Sequence, residues 1–335
     1  MATHFFGIRE WTFSYDHSVG RGEFSGTGFR NPVDLALGPD DLVYVVNRSY
    51  ENRPDGVHVT VCTLKEDYIR EFGSYGQEAG QFVWPTAIAL DRNQQIYVAD
   101  EWLNRISVFS NDGKFARSWG QAGSADGELN GPAALAIGPD DVMFLVDSRN
   151  HRVQKFTLDG RYLGQFGRFG SAAGEFNLPW GLALDKAGSA YVADWRNDRI
   201  QKFTPEGKWL ATFGRSGQGS GQFNRPTGVC VDKDGDIYVA DWWNDRVQIL
   251  APDGRFIAAL FGDNQLSKWA KEKLRSNPDM IRQRALAIAH DRGAFEKSFS
   301  HPCAVRVDDQ CRIAVLDSTR NRIQVYTKAK DPMLN

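Results

Sequence analysis

The sequence predicts an all-β protein: a six-bladed β-propeller of four-stranded blades, with a helical insertion between blades 5 and 6. Three features that recur in register along the chain carry this prediction: a proline, a YVAD-like run and an aromatic–glycine pair. The prolines are Pro32, Pro85, Pro132, Pro179, Pro226 and Pro302. The four central prolines follow one another at intervals of 47 residues. A unit of this length is typical of one propeller blade.

Each unit contains four short segments with strand character, as the fourth unit illustrates. Its segments are 179–184, 189–194, 200–204 and 208–214, and turns rich in Gly, Asp and Pro separate them. Short strands joined by such turns are typical of antiparallel all-β folds. The units lack the apolar period of a helix. We therefore expect each unit to form one four-stranded blade.

The ring of blades is expected to close through the N-terminal segment. Five units are complete and end near residue 262, whereas the sixth unit, 302–327, supplies three strands. We predict that the segment 9–14 (REWTFS) is the fourth strand of blade 6. Closure of this kind removes the open sheet edges that invite aggregation. The whole chain, 1–335, is then one domain.

Composition restricts the function. Basic and acidic residues nearly balance, 40 against 42, for a formal net charge of −2. A protein that binds mainly through phosphate backbones is more basic than this, so nucleic acid is not expected as a main partner. The four Cys residues form no disulfide framework, and neither a signal peptide nor a long apolar run is apparent. We expect a soluble cytoplasmic protein without a membrane partner.

The repeated pattern resembles the NHL repeat. Its parts are P-x-G-(I/L)-A-L-D, then YVAD, then N-D-R-(I/V)-Q. Blades 4 and 5 match it best, and blade 1 departs from it at 45–57 (VVNRSYENRPDGV). The resemblance covers about residues 25–330 apart from the insertion, and it implies the propeller fold. Because the family includes amidating lyases, protein-binding modules and RNA-binding modules, it leaves the activity open.

The insertion covers residues 263–300. Two segments within it, 266–275 and 280–292, have helical character, and Asn277-Pro278 between them suits the start of a helix. The insertion joins the last strand of blade 5 to the first strand of blade 6, on the face of the ring where the prolines stand. We predict a helical lid over the axial mouth on this face. A helical decoration packed on the rim is the alternative.

Two charged residues interrupt a series of small ones in the inner strands. Two and four residues after the proline most blades have Gly, Ala or Cys, but blade 1 has Asp34 and blade 6 has Arg306. A buried charge needs a partner, so one interpretation is an ion pair that closes the ring. The other makes Asp34, Arg306 and His301, which precedes the blade 6 proline, the catalytic groups of an axial site.

Aromatic and basic residues are frequent in the loops of the same face. Those predicted to bind a ligand are Trp84, Trp102, Trp180, Trp195, Trp242, Arg196 and Arg225. Such side chains can stack on an aromatic ligand or bind an anion. Packing between blades is the alternative for the tryptophans, and plain surface exposure for the arginines. The Asp and Arg residues that recur in every blade are instead expected to bond the backbone of their own loops.

Metal ligands are sparse in the predicted loops. The amidating lyases of the NHL family hold zinc with His residues from several blades, and here such a site would need His301, His151 and the insertion residue His290. Calcium with Asp34 as one ligand is the other option. We assign no metal ligand, and the cofactor stays unknown.

These observations favour a small anionic or aromatic ligand, bound under the lid in an axial pocket on the proline-bearing face. Lyase or hydrolase chemistry is one option for this pocket. A protein-interaction scaffold that uses the tryptophan-rich face is the alternative. RNA binding ranks last, because the insertion carries only a modest excess of basic residues.

Overall fold

The computed structural model describes residues 11–22, 27–49, 53–263, 265–276 and 297–330, together with 279, 281, 282 and 286. Six four-stranded antiparallel sheets surround one axis. The innermost strand of each sheet contacts the innermost strands of both neighbouring sheets, which closes the ring. The fold is therefore the six-bladed β-propeller that the repeats predict.

Blades 1 to 3 take the chain from Pro32 to Phe166, after a first strand, β1 (Trp11–Val19), that belongs to blade 6. Blade 1 is β2 (Pro32–Leu37), β3 (Leu42–Asn47), β4 (His58–Thr63) and β5 (Tyr68–Phe72). A short parallel pair follows, β6 (Ser74–Tyr75) and β7 (Gln81–Phe82). Blade 2 is β8 (Pro85–Leu90), β9 (Ile96–Asp100), β10 (Arg105–Phe109) and β11 (Phe115–Trp119). Blade 3 is β12 (Pro132–Ile137), β13 (Val142–Asp147), β14 (Arg152–Thr157) and β15 (Tyr162–Phe166).

Blades 4 to 6 repeat this order. Blade 4 is β16 (Pro179–Leu184), β17 (Ala190–Asp194), β18 (Arg199–Phe203) and β19 (Trp209–Phe213). Blade 5 is β20 (Pro226–Val231), β21 (Ile237–Asp241), β22 (Arg246–Leu250) and β23 (Phe256–Leu260). The helix α1 (Lys268–Arg275) precedes blade 6, which is β24 (Pro302–Val307), β25 (Arg312–Asp317), β26 (Arg322–Lys330) and β1. Short 3-10 turns cover Pro54–Gly56, Ser148–Asn150, Trp195–Asn197 and Trp242–Asn244.

The N-terminal strand supplies the outer edge of blade 6. Trp11 lies opposite Lys330 and Val19 opposite Ile323, with a bulge in the register near Asp16. The strand runs over 11–19, where the sequence predicts 9–14; residues 9 and 10 lie outside the described part of the chain.

Two faces of the ring follow from the strand order. The loops before each first strand and those between second and third strands lie at one end, which we call the proline face. The turns between first and second strands and between third and fourth strands lie at the other end, the turn face. Six apolar clusters fill the spaces between the blades, for example Val46, Phe72, Ile88 and Phe109 between blades 1 and 2.

The small residues of the inner strands allow neighbouring strands to approach closely. A Cβ atom on Gly181 would lie 2.2 Å from the carbonyl oxygen of Thr227 in the next blade, and one on Gly228 would lie 2.8 Å from that of Cys303. Any larger side chain at these two positions would push the inner strands apart.

The repeated Asp and Arg residues bond the loops of their own blade. Asp147 accepts hydrogen bonds from the Asn130 amide at 2.6 Å and from Arg152 Nε at 2.8 Å. Gln154 Nε2 donates to the same carboxylate at 3.0 Å. The equivalent ion pairs in other blades are Asp194–Arg199, Asp241–Arg246 and Asp317–Arg322. These residues hold the proline face in shape, as the sequence predicts for them.

A second repeated contact joins each of blades 2 to 6 to the next blade. In these five blades the last residue of the loop between second and third strands has a positive φ, which suits Asn and Asp best. Its side chain accepts a hydrogen bond from the amide of the residue that precedes the next proline. The pairs, with acceptor first, are Asn104–Gly131, His151–Leu178, Asp198–Arg225, Asp245–His301 and Asn321–Asn31.

The helix α1 of the insertion lies on the perimeter of the ring. Trp269 is 4% exposed and packs edge-on against Phe29, 6.1 Å between ring centres. Its amide donates to Glu66 in the turn between the two outer strands of blade 1, and Lys268 pairs with Asp67 in the same turn. The lid predicted over the axial mouth is therefore wrong for α1, and the rim alternative holds. Residues 283–285 and 287–296, including His290, lie outside the described part.

Candidate functional site

The axial cavity narrows toward the proline face and widens toward the turn face. Near the proline face, where Trp180 lines the axis, it encloses about 20 Å³, room for roughly one water molecule. Toward the turn face it encloses about 310 Å³. The wide part, which we call the axial funnel, is where a small molecule has room. The sequence predicts the pocket at the opposite end, where close contact between inner strands leaves little space.

The side chains that line the axial funnel are apolar with one exception, and polar backbone atoms share the exposed wall with them. All six inner strands contribute their last residues before the turn to the second strand. These include Ala36, Ala89, Ala136, Ala183, Cys230 and Val307. Burial raises the pKa of the Cys230 thiol to about 12, so this group is neutral and acts as a small apolar side chain. Arg306 is the one charged side chain among the lining residues.

Asp34 and Arg306 meet at the inner end of the funnel. Arg306 Nη2 donates to Asp34 Oδ1 at 2.7 Å, and Arg306 Nη1 donates to the carbonyl of Val305 at 2.9 Å. Asp34 Oδ2 accepts from the amide of Ile88 in blade 2 at 3.0 Å. The pair thus joins blades 6, 1 and 2. It also faces the cavity, since both residues line the narrow part and Arg306 lines the funnel as well.

Burial sets the protonation of this pair. Desolvation raises the pKa of Asp34 above its ordinary value of 3.8, although the Arg306 charge and the Ile88 amide oppose that shift. The Asp34 carboxyl therefore holds a proton at a higher pH than an exposed aspartate does. Both interpretations of the sequence fit the geometry: the pair closes the ring, and it borders the cavity.

His301 lies apart from this pair, on the proline face between blades 5 and 6. Its ring packs on Trp242, 4.8 Å between centres, and its Nδ1 lies 3.2 Å from the Thr319 hydroxyl. It is not among the residues that line the described axial cavity. The structure therefore brings two of the three predicted catalytic groups together and leaves His301 in an interface between blades.

Three of the predicted ligand-binding tryptophans pack across blade interfaces. In each pair, the residue that follows the second strand of one blade packs on the residue that precedes the proline of the next blade. The pairs are Arg48 with Trp84, 5.0 Å to the ring centre, Arg225 with Trp195, 4.5 Å, and Trp242 with His301. Trp102 packs edge-on against Trp84, and Arg196 lies 5.6 Å from the Trp195 ring centre. Trp102 and Trp243 remain 59% exposed. The predicted set is thus spread around the proline face rather than gathered at one point.

Two contacts between buried charged residues were not predicted from the sequence. Glu101 is buried and binds Arg48 at 2.9 Å across the interface between blades 1 and 2. Lys328 Nζ is fully buried and contacts Asp232, Asp234 and Asp236 at 2.6 to 2.9 Å. These contacts link residues far apart in the chain. The spacing DKDGD at 232–236 is the one local signal that could have indicated the second of them.

The zinc site of the family's amidating lyases does not fit the described residues. His151 Nδ1 accepts from the Leu178 amide between blades 3 and 4, while His301 lies between blades 5 and 6. Within the described ranges, no group of three or more His, Cys, Asp or Glu side chains is placed to hold a metal ion. No helix in the same ranges is long and apolar enough to span a membrane.

Family models match two parts of the chain. The NHL repeat matches residues 223–250, in blade 5 and the loop before it. The SMP-30/gluconolactonase/LRE-like region matches residues 119–214, which span blades 3 and 4. Together with the six observed blades, these matches define the class of fold: the chain is a six-bladed β-propeller with a match to the NHL repeat in blade 5 and to the SMP-30/gluconolactonase/LRE-like region in blades 3 and 4.

Solved structures share the fold at low sequence identity. A protein of unknown function from Bacteroides thetaiotaomicron VPI-5482 has a TM-score of 0.64 and 16% identity, over 96% of this chain and 77% of that one. Virginiamycin B lyase from Staphylococcus aureus has a TM-score of 0.58 and 12% identity, over 95% and 99%. A streptogramin B lyase has a TM-score of 0.58 and 11% identity, over 96% and 98%. No curated protein matches the sequence.

Proposed function

We propose that this propeller binds a small molecule in the axial funnel, and that the ligand has an apolar or aromatic body and one anionic group. The observation that carries this proposal is a cavity of about 310 Å³ lined by apolar side chains, with a single guanidinium at its inner end. Ligand sites in proteins are commonly cavities of this size with a few convergent polar groups.

Arg306 is suited to receive the anionic group. A guanidinium has five N–H donors in a rigid fork. The hydrogen bonds to Asp34 and to the Val305 carbonyl use two of them. The side chain is 24% exposed, so part of it reaches the cavity. A carboxylate on the remaining donors would sit in a low-dielectric site, where a charge-assisted hydrogen bond is strong.

Asp34 supplies a second chemical group beside the ligand. Burial raises its pKa, so this carboxylate accepts a proton more readily than an exposed aspartate does. A proton-transfer group beside an anion-stabilising group is what elimination and hydrolysis both need. Two structures of the same fold are named as lyases. We therefore propose that the bound ligand undergoes a lyase or hydrolase reaction.

The test uses 3-phenylpropanoate and its neutral amide as matched probes, with binding followed by calorimetry. Wild type should bind the carboxylate more tightly than the amide. Ala136→Leu, which fills the funnel, should remove the ligand equivalent bound there, whereas Ala172→Leu adds the same volume to an exposed loop and should leave the stoichiometry unchanged. Arg306→Gln should remove the preference for the carboxylate. Equal affinity for both probes, or unchanged binding by Ala136→Leu, would contradict the proposal.

A second candidate function is protein binding on the proline face. Three large side chains in its loops are strongly exposed: Trp102, Trp243 and Phe169, at 59%, 59% and 67%. Exposed tryptophans are frequent anchors of protein interfaces. Capture of partners from the native lysate by wild type, but not by a Trp102→Ala/Trp243→Ala variant, would favour this function. Equal capture by both proteins would exclude it for these two residues.

A further inference from the structure

We infer that the proline face carries a separate binding site for a small oxyanion attached to an aromatic group, centred on Arg225 between blades 4 and 5. The site lies in the loops around β16, β17 and β20, apart from the axial funnel. It does not depend on the proposed function. Its ligand class is a carboxylate or a phosphate monoester of an aromatic group.

The position of Arg225 is fixed by its backbone. The residue has a φ of 55°, and its amide donates to Asp198 Oδ1 of blade 4 at 2.8 Å. This contact is the repeated one that joins neighbouring blades. It directs the side chain over the loop of blade 4, where the guanidinium lies 4.5 Å from the Trp195 ring centre. A ligand would therefore meet a cation that the fold already holds in place.

The charge of Arg225 has no anionic partner in the described part of the chain. Its Nη1 atom is covered and makes no hydrogen bond. Most other arginines of this face are paired, for example Arg48 with Glu101 and Arg168 with Glu175. The side chain is half-buried, and its other N–H donors make no hydrogen bond to the described residues, so these are the donors that an arriving oxyanion can bind.

A second cation lies near the same ring. The Arg196 guanidinium is 5.6 Å from the Trp195 ring centre, and its side chain is exposed. Two guanidiniums around one indole favour an anion over a neutral ligand, and the planar fork favours carboxylate and phosphate geometry. Because Arg196 is exposed, its contribution is more sensitive to salt.

The aromatic preference comes from the next loop of blade 5. The Trp243 amide donates to the carbonyl of Asn224, so this loop lies beside Arg225. Trp243 is 59% exposed and packs edge-on against Trp242, 5.0 Å between ring centres. The Trp243 ring also lies 6.3 Å from the His301 ring centre, so an aromatic group attached to the oxyanion would extend from Arg225 across the blade 5 loop to cover it. Inorganic phosphate alone lacks that contact.

The experiment compares phenyl phosphate, benzoate and inorganic phosphate by calorimetry at 25 mM and 150 mM NaCl. We expect both aromatic oxyanions to bind wild type, with inorganic phosphate weaker by about 5-fold or more, because it makes no aromatic contact. Arg225→Ala should weaken phenyl phosphate by about 10-fold or more, as loss of a charge-assisted hydrogen bond predicts. Arg196→Ala should weaken it by about 3-fold, less at the higher salt.

Matched controls separate this site from general charge and from the funnel. Arg215→Ala removes one positive charge from the loop that leads to Arg225, and it should change the affinity by less than about 2-fold. Ala136→Leu fills the funnel and removes any phenyl phosphate bound there, and the binding that remains should still depend on Arg225. Arg225→Lys keeps the charge and loses the fork, so its affinity should fall between those of wild type and Arg225→Ala. Absence of binding at 25 mM NaCl, equal losses in the Arg215 and Arg225 variants, or loss only in Ala136→Leu would overturn the inference.

Discussion

The Asp34 carboxylate in blade 1 and the Arg306 guanidinium in blade 6 form a 2.7 Å hydrogen bond although 272 positions separate them in the chain. The contact crosses the place where the last blade of the ring meets the first. Asp34 is 7% exposed, so the ion pair replaces hydration that both groups have lost.

Removal of one partner of this pair should cost more than removal of both. Arg306→Ala leaves a buried carboxylate unpaired and should lower the free energy of unfolding by about 3–5 kcal/mol. The double variant Asp34→Ala/Arg306→Ala restores the Ala residues that blades 2 and 3 have at both positions, and it should recover most of that loss. Urea unfolding gives the free energy of unfolding of the double variant and of the single variants Asp34→Ala and Arg306→Ala, each relative to wild type. A double variant as unstable as the sum of the single losses would contradict this account.

Blade 2 lacks a hydrogen bond that blades 3, 4 and 5 make. In those blades a Gln of the third strand accepts from a glycine amide of the loop before the blade, as Gln154 does from Gly127 at 2.9 Å. Blade 2 has Ser107 instead, and its buried hydroxyl and the nearby Arg105 Nε have no partner. Ser107→Gln should raise the free energy of unfolding by about 1 kcal/mol. A loss of stability on urea unfolding would show that the space for a Gln side chain is absent.

His151 makes stability at this blade junction dependent on pH. Its Nδ1 accepts the Leu178 amide, which a protonated ring cannot do, and burial lowers the pKa of His151 below its ordinary value of 6.5. The hydrogen bond from Leu178 to His151 therefore contributes fully to the free energy of unfolding above pH 6.5. This contribution is lost as the pH falls toward the lowered pKa. His151→Asn keeps the acceptor that Asn104 provides between blades 2 and 3. The free energy of unfolding of wild type relative to this variant should fall between pH 7 and pH 5; a constant difference would contradict the prediction.

Docking of α1 should stabilise the junction of blades 6 and 1. Trp269 is buried against Phe29, and its amide donates to the Glu66 carboxylate at 3.0 Å. Trp269→Ala should lower the free energy of unfolding by about 3 kcal/mol. Lys271→Ala, an exposed position on the same helix, is the matched control and should change it by less than about 0.5 kcal/mol. Equal stability of the two variants would mean that α1 does not support this junction.

The blades could be predicted from the sequence because each repeats the same local pattern. Pro179 and Asp194 begin and end the paired inner strands of blade 4, and equivalents of this pair recur in register. The partners of the Asp34 and Arg306 charges could be anticipated for the same reason, since both break a repeated series. The blades and the two unusual charged positions could therefore be predicted because the sequence repeats.

The docking of α1 and the open end of the axial cavity could not be predicted in this way. The segment 266–275 shows its helical character, but the partner of Trp269 is a turn about 200 residues away. The width of the cavity depends on backbone distances such as that between Gly181 and Thr227, and no residue pattern encodes them directly. Both features arise from contacts between distant segments.

The most direct test of ligand binding in the axial funnel is methyl NMR of isoleucine-labelled protein titrated with 3-phenylpropanoate. Ile137 lines the funnel, whereas Ile200 and Ile323 lie in the cores between blades. The proposal predicts saturable shifts of the Ile137 methyl signals, with those of Ile200 and Ile323 unchanged. Unchanged funnel signals at saturating ligand, or shifts confined to the core methyls, would contradict it.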